Sequence, residues 1–153
     1  MAITHLSALC TVVFGALFCG GIFFVAVERL NLWQRMPVEQ YVVDFRRSLY
    51  RLDPLLPILG GLTAIAAVVF ALATRGAPAV FASVGVGMIA VIIATSVFVA
   101  EPINSKFRRI PEGQAPADVE RLRVVWRRFH WFRTGFALAT LTLLAAATVT
   151  VSP

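Results

Sequence analysis

The residues able to do chemistry are few, and they gather in a short part of the chain. Trp126, His130 and Arg133 are separated by four and three positions, which sets them on one stripe of a helix. Arg123 extends the stripe by a turn, and Phe129, Phe132 and Phe136 occupy the neighbouring face. Histidine titrates near neutrality and suits a general base. Arg133, together with Asn104 from an earlier segment, can hold negative charge that develops on a bound oxygen. Glu28 and Glu101 stand where long apolar runs end, so each carboxylate must pair, protonate or stay wet, and His130 and Arg133 are the natural partners. Glu28, Glu101, Asn104, His130 and Arg133 would then form a proton-abstraction site with His130 as base. Trp126, Phe129, Trp131 and Phe132 would line its mouth for an aromatic or quinone-like substrate. The same Trp and Arg pattern also fits plain anchoring at lipid headgroups, the reading preferred for Trp131.

Glu28, Glu101 and His130 also supply two oxygens and one nitrogen, a donor set compatible with non-haem iron. The other histidine, His5, lies at the far end of the first apolar run, so no single metal uses both, and a haem held by two histidines at one depth is excluded. No cofactor is expected, with a non-haem metal ion as the alternative. Cys10 and Cys19 share one apolar run and lack a redox spacing, so they read as small packing residues rather than a disulfide framework. No phosphate loop, dinucleotide fingerprint, CxxC or serine-nucleophile motif occurs.

The elements that position these residues follow from composition. Of 153 residues, 59% are hydrophobic and 14% charged. Soluble domains carry about 25% charged residues, so a soluble globular protein is excluded, and a chain this apolar does not stay disordered in water. Four apolar runs, approximately 6–27, 54–74, 78–100 and 130–151, are each long enough for a transmembrane helix. The first spans about 33 Å at 1.5 Å per residue. It is too long for a signal-peptide core, and no basic residue precedes it. The runs lack the alternation of strands. The expected fold is all-α: one polytopic membrane domain, a bundle of four transmembrane helices.

Arg75 is the only charged residue outside 28–53 and 101–133. With four spans, both charged loops fall on one face, which the positive-inside rule makes cytoplasmic, with both termini outside and Arg75 in a tight outer turn. The net charge of +6 is thus a topology signal, and no motif supports a nucleic-acid partner. In the first loop (28–53), Val38, Tyr41, Val42, Phe45, Leu49 and Leu52 recur at helical spacing, with Asp44, Arg46, Arg47 and Arg51 on the polar side. This predicts an amphipathic helix that lies on the membrane or caps the bundle, with Pro37 in its first turn. In the second loop (101–129), Pro102, Pro111, Gly113 and Pro116 predict turns and irregular chain. A long helix of about 50 Å then begins near Pro116, with Asp118 and Glu120 in or near its first turn, and runs into the fourth span. Gly15, Cys19, Gly20, Gly21, Gly60, Gly61, Gly85 and Gly87 read as sites of close helix approach.

The stretch EPINSKF, followed by LRVVWRRFHWFRT running into the last span, resembles the anthrone-oxygenase-like family of small four-helix membrane proteins. The matching residues are Pro102, Asn104, Trp126, His130 and Arg133. The resemblance implies oxidation of an anthrone to an anthraquinone by dioxygen without a conventional flavin or haem. His130 would form the carbanion, and Asn104 and Arg133 would hold the oxygen-bearing edge. Glu28 and Glu101 are additions from topology. The family has many bacterial members of unassigned role, and the bacterial plasma membrane is the expected location. The first expectation is therefore a membrane monooxygenase acting on a lipophilic aromatic molecule in the bilayer. The alternative is a non-enzymatic structural or interaction protein, working as a homo-oligomer or with a membrane partner. A small transporter or channel subunit ranks third, because the spans offer little polar lining.

Overall fold

A computed structural model describes residues 2–111 and 113–151, and no strand occurs among them. Four helical rods, Ala2–Arg35, Val38–Ala73, Ala77–Arg109 and Val119–Val149, are each long and apolar enough to cross a membrane. Their outer surfaces are apolar: Leu6, Ile65, Leu72 and Phe98 are all more than half exposed. Such a surface is unfavourable against water and natural against lipid tails, and the protein is a multi-pass membrane protein.

Within the first rod, α1 (Ala2–Phe24) passes through a π-helical turn at Val25–Arg29 into α2 (Leu30–Arg35). Met36 breaks the rod by turning extended (φ −71°, ψ 141°), the conformation that a following proline imposes. Pro37 caps the next helix, α3 (Val38–Leu52), rather than entering its first turn. Asp53 keeps helical angles (φ −60°, ψ −38°) despite preceding Pro54, so α3 bends into α4 (Leu55–Ala73) within two residues.

Gly76, at φ +67°, makes the tight turn into α5 (Ala77–Thr95), a conformation that suits glycine alone here. A second π-helical turn, Ser96–Ala100, leads into α6 (Glu101–Arg109). The irregular chain expected from Glu101 onward therefore starts only after Arg109. Pro102 does not break α6, because it sits in the first turn, where a missing N–H is harmless. The last helix, α7 (Val119–Val149), has Asp118 at its cap and Glu120 in its first turn. Its 31 residues give about 46 Å, close to the expected length.

The bundle is a closed square: α1 packs on α4 and α7, and α5 packs on α4 and α7. Lipid tails are as apolar as leucine, so close van der Waals contact rather than the hydrophobic effect holds the spans together. Gly60 lets Phe18 approach to 3.0 Å of the place a Cβ would occupy, and Gly85 admits the buried Leu144 to 2.7 Å of its own. Gly20, Gly61 and Gly87 have open space there instead.

At the charged end, α3 spends its apolar face on the bundle rather than on lipid. Tyr41, Val42, Phe45 and Leu49 are buried, with Val38 and Leu52 partly so. They meet Trp33, Phe107 and Trp126 in a cluster of mostly edge-to-face aromatic pairs, with centroids 4.7–6.2 Å apart. Each such pair adds about 0.5–1.5 kcal/mol beyond burial, so the amphipathic helix is a fixed cap.

Candidate functional site

Trp126, His130 and Arg133 share the stripe of α7 that enters the bundle. His130 is fully buried and stacks on Trp126, with centroids 4.8 Å apart and planes 19° from parallel. Its ring is held from both sides. An Arg133 N–H donates to Nδ1 at 2.7 Å, and Nε2 lies 3.0 Å from the carbonyl oxygen of Ile22. A guanidinium only donates and a carbonyl only accepts, so the ring must be the Nε2–H tautomer with its Nδ1 lone pair engaged. Ile22 belongs to α1, three residues before the π turn, so this bond ties the first rod to the fourth.

Arg133 also lies over the Phe129 ring, with its guanidinium carbon 5.6 Å from the centroid. Its Nε–H is buried without a partner, and no carboxylate among the described residues reaches it within ion-pair distance.

From Trp126 a second chain of hydrogen bonds runs outward. The indole N–H donates to Asn104 Oδ1 at 3.0 Å. The Asn104 amide reaches both oxygens of Asp53, at 3.3 and 3.4 Å. Arg108 donates to Asp53 Oδ2 at 2.5 Å and also to Glu101 Oε1, which accepts from Ser105 at 2.8 Å as well. Burial raises the Asp53 carboxyl above its ordinary value, against the opposing pull of Arg108. Partial burial works the same way on Glu101, but the bonds from Arg108 and Ser105 outweigh it and hold that carboxyl below its usual range.

These groups edge a cavity of about 460 Å³, within the range of small-molecule pockets. Its apolar walls include Phe18, Ile22, Leu49, Leu56 and Ile92, and its polar end is Asp53, Glu101, Asn104, Arg108, Trp126 and Arg133. Pro57, Ile93 and Val97 wall the cavity and are also exposed on the outer surface. The mouth therefore opens sideways between the start of α4 and the end of α5, as well as toward the charged end. Both π turns border it, through Val25 on one side and Ser96, Val97 and Ala100 on the other. Such turns recur at functional sites because they break the regular helix register.

Of the residues singled out in the sequence, Asn104, Glu101, Trp126 and Arg133 meet at this cavity. His130 and Phe129 are buried behind it and do not wall it. Glu28 is absent from its walls and pairs with its neighbour Arg29 at 2.7 Å, not with His130 or Arg133. Glu101 pairs with Arg108 rather than with His130. Among the described residues, no three His, Cys, Asp or Glu side chains gather to suit a metal, and Glu28, Glu101 and His130 form no such group. Trp131 and Phe132 point outward, about half exposed, as anchors would.

Asp53, Arg108 and Trp33 were not singled out. Asp53 had a signal: it abuts the second span just as Glu28 and Glu101 abut the first and third. Arg108 and Trp33 had none, since nothing local marks one arginine of a basic run or one loop tryptophan.

Comparison with curated proteins and with solved structures returned no match to this chain. The family model described as anthrone oxygenase matches residues 45–149, from the capping helix to the end of the last span. Those residues include every polar group at the cavity's charged end, and the chain belongs to the anthrone oxygenase family.

Proposed function

We propose that this protein oxidises a lipophilic aromatic ketone of the anthrone class with dioxygen, beginning with removal of a proton from the ring methylene. The observation that carries this reading is the cavity itself: apolar walls open to the lipid side, ending on an arginine whose Nε–H has no partner. A flat apolar molecule dissolved in the bilayer fits such walls. As its methylene loses a proton, charge moves onto the ketone oxygen, and Arg133 and the Asn104 amide are the donors to receive it. The resulting enolate gives electrons to dioxygen, a C–O bond forms, and loss of water from the hydroperoxide leaves the quinone. One oxygen atom ends in the product and one in water, and the substrate supplies all the electrons, so no external reductant is required. His130 holds Arg133 in place from behind the cavity. We place the charged end of the bundle at the cytoplasmic face of a bacterial plasma membrane, with both termini outside, on the strength of the clustered basic residues.

The test uses the full chain in nanodiscs with anthrone as probe. Oxygen uptake should match anthraquinone formation, with one atom of ¹⁸O₂ entering the product, and should exceed the rate with empty nanodiscs. An oxygen-dependent rate equal to that of empty nanodiscs overturns the reading.

A further inference from the structure

A reaction that begins by taking a proton from carbon needs a base with a free lone pair on the cavity wall. His130 does not meet that condition in this arrangement. It stands behind the wall, its Nδ1 accepts from Arg133, and its Nε2–H is given to Ile22. The ionisable groups that wall the cavity are Asp53, Glu101, Arg108 and Arg133. Arginine keeps its proton in proteins, which leaves the two carboxylates. Glu101 turns half into solvent, and the bonds that Arg108 and Ser105 donate to its Oε1 help hold its carboxyl below the usual range, so it is the weaker base although its other oxygen is not engaged by them. Asp53 is arranged differently. Its Oδ2 is occupied by Arg108, while Oδ1 has only a long contact of 3.4 Å with the Asn104 amide.

We propose that Asp53, through Oδ1, is the base that removes the substrate proton. The proposal rests on the oxygenase reading above and names a residue for its first step. Arg108 keeps Asp53 ionised and fixes its orientation by holding the other oxygen. Arg133, on a different helix of the same cavity, receives the negative charge that the proton leaves behind. Burial that raises the carboxyl above its ordinary value makes it a stronger base than an exposed aspartate, in line with this role.

The proton balance closes on this one side chain. The methylene C–H bond breaks, its proton goes to Oδ1, and its electron pair moves to the ketone oxygen. Dioxygen adds at the same carbon, and Asp53 returns the proton to the terminal peroxide oxygen. The carboxylate then takes the second proton from that carbon while the O–O bond breaks. The hydroxide released picks up that proton, leaving water, the quinone carbonyl and an ionised Asp53 ready for the next turn.

The experiment separates the proton step from the oxygen step. Anthrone is incubated without oxygen in D₂O with the full chain in nanodiscs, and deuterium entering the methylene is followed by mass spectrometry. Quinone formation in air is measured in parallel. Wild type should exchange deuterium faster than empty nanodiscs, and Asp53→Asn should lose both activities by about 10²-fold or more, the usual contribution of a general base. If Asp53→Asn folds and keeps exchange within about threefold of wild type, the proposal is overturned and the oxygenase reading stands. If wild type shows neither exchange nor quinone formation above empty nanodiscs, the oxygenase reading fails and the proposal with it. Should Asp53→Asn not fold, because Arg108 is left without its carboxylate, the double variant Asp53→Asn with Arg108→Gln removes both charges and is judged by the same exchange ratio.

Discussion

Replacing His130 with phenylalanine removes two hydrogen bonds while keeping a ring of similar size against Trp126. The bonds at stake are the 2.7 Å contact from Arg133 and the 3.0 Å contact to the Ile22 carbonyl. Side-chain hydrogen bonds within lipid average about 0.6 kcal/mol and reach about 1.7. The Arg133 bond has a charged donor and belongs at the upper end of that range. Their sum gives a loss of about 1–3 kcal/mol for His130→Phe. No cavity adds to it, because the stacked ring remains. His130→Ala discards the ring as well and should cost a further ~1–2 kcal/mol for the space it leaves. Both numbers are read from reversible unfolding in mixed micelles titrated with SDS, with helicity followed by circular dichroism. If His130→Phe lies within about 0.5 kcal/mol of wild type, the ring nitrogens are not holding the first rod to the fourth. The Nδ1 lone pair of His130 would then be free of Arg133 and able to accept a proton.

Other perturbations probe separate parts of the molecule. Gly85→Ala places a methyl 2.7 Å from the buried Leu144 Cδ2 and 3.1 Å from its Cγ, so the α5–α7 contact should lose about 1–3 kcal/mol in the same unfolding assay. Unchanged stability would mean that Leu144 has room to turn away. Val97→Trp sets a large ring at the sideways mouth of the cavity. Its KM for anthrone should rise several-fold with kcat little changed, and an unchanged KM would show that substrate arrives from the charged end instead. Glu101 has a folded-state carboxyl below its ordinary value of 4.5, so the folded form binds its proton less readily than the unfolded form. Its contribution to stability is therefore present above that value and lost as pH falls through the lowered one. Wild type should exceed Glu101→Gln in stability at neutral pH, with the gap closing in acid, and a constant gap across that range would refute the assignment. Asp53 has the opposite sign: with its carboxyl raised by burial, its ionisation costs stability as pH rises through the raised value, so Asp53→Asn should narrow any decline with pH on that side.

Much of the architecture was legible because membrane crossing is a local property. A run of about twenty apolar residues must form a helix in lipid, whatever its neighbours do, since no other local structure satisfies its backbone. The four spans, the amphipathic α3 and the long α7 follow from counting and periodicity alone. The stripe of Trp126, His130 and Arg133 was equally readable, because α7 runs from Val119 to Val149 without a π turn and its 3.6-residue spacing holds throughout.

Which carboxylate reaches the cavity was decided only by the tertiary structure. Glu28 lies inside the π turn at Val25–Arg29, and Glu101 follows directly on the one at Ser96–Ala100. Each such turn carries an extra residue, so a face inferred from regular spacing does not continue through it. Asp53 reaches the cavity because α3 bends into α4 at that residue and because Arg108, far away in the chain, takes hold of one of its oxygens. Apolar runs and charge placement determined by themselves that the chain has four membrane-spanning runs and that every charged residue but Arg75 falls within 28–53 and 101–133. The pairing among those groups depends on the rotation of each helix and on partners from other helices, and only packing sets either one.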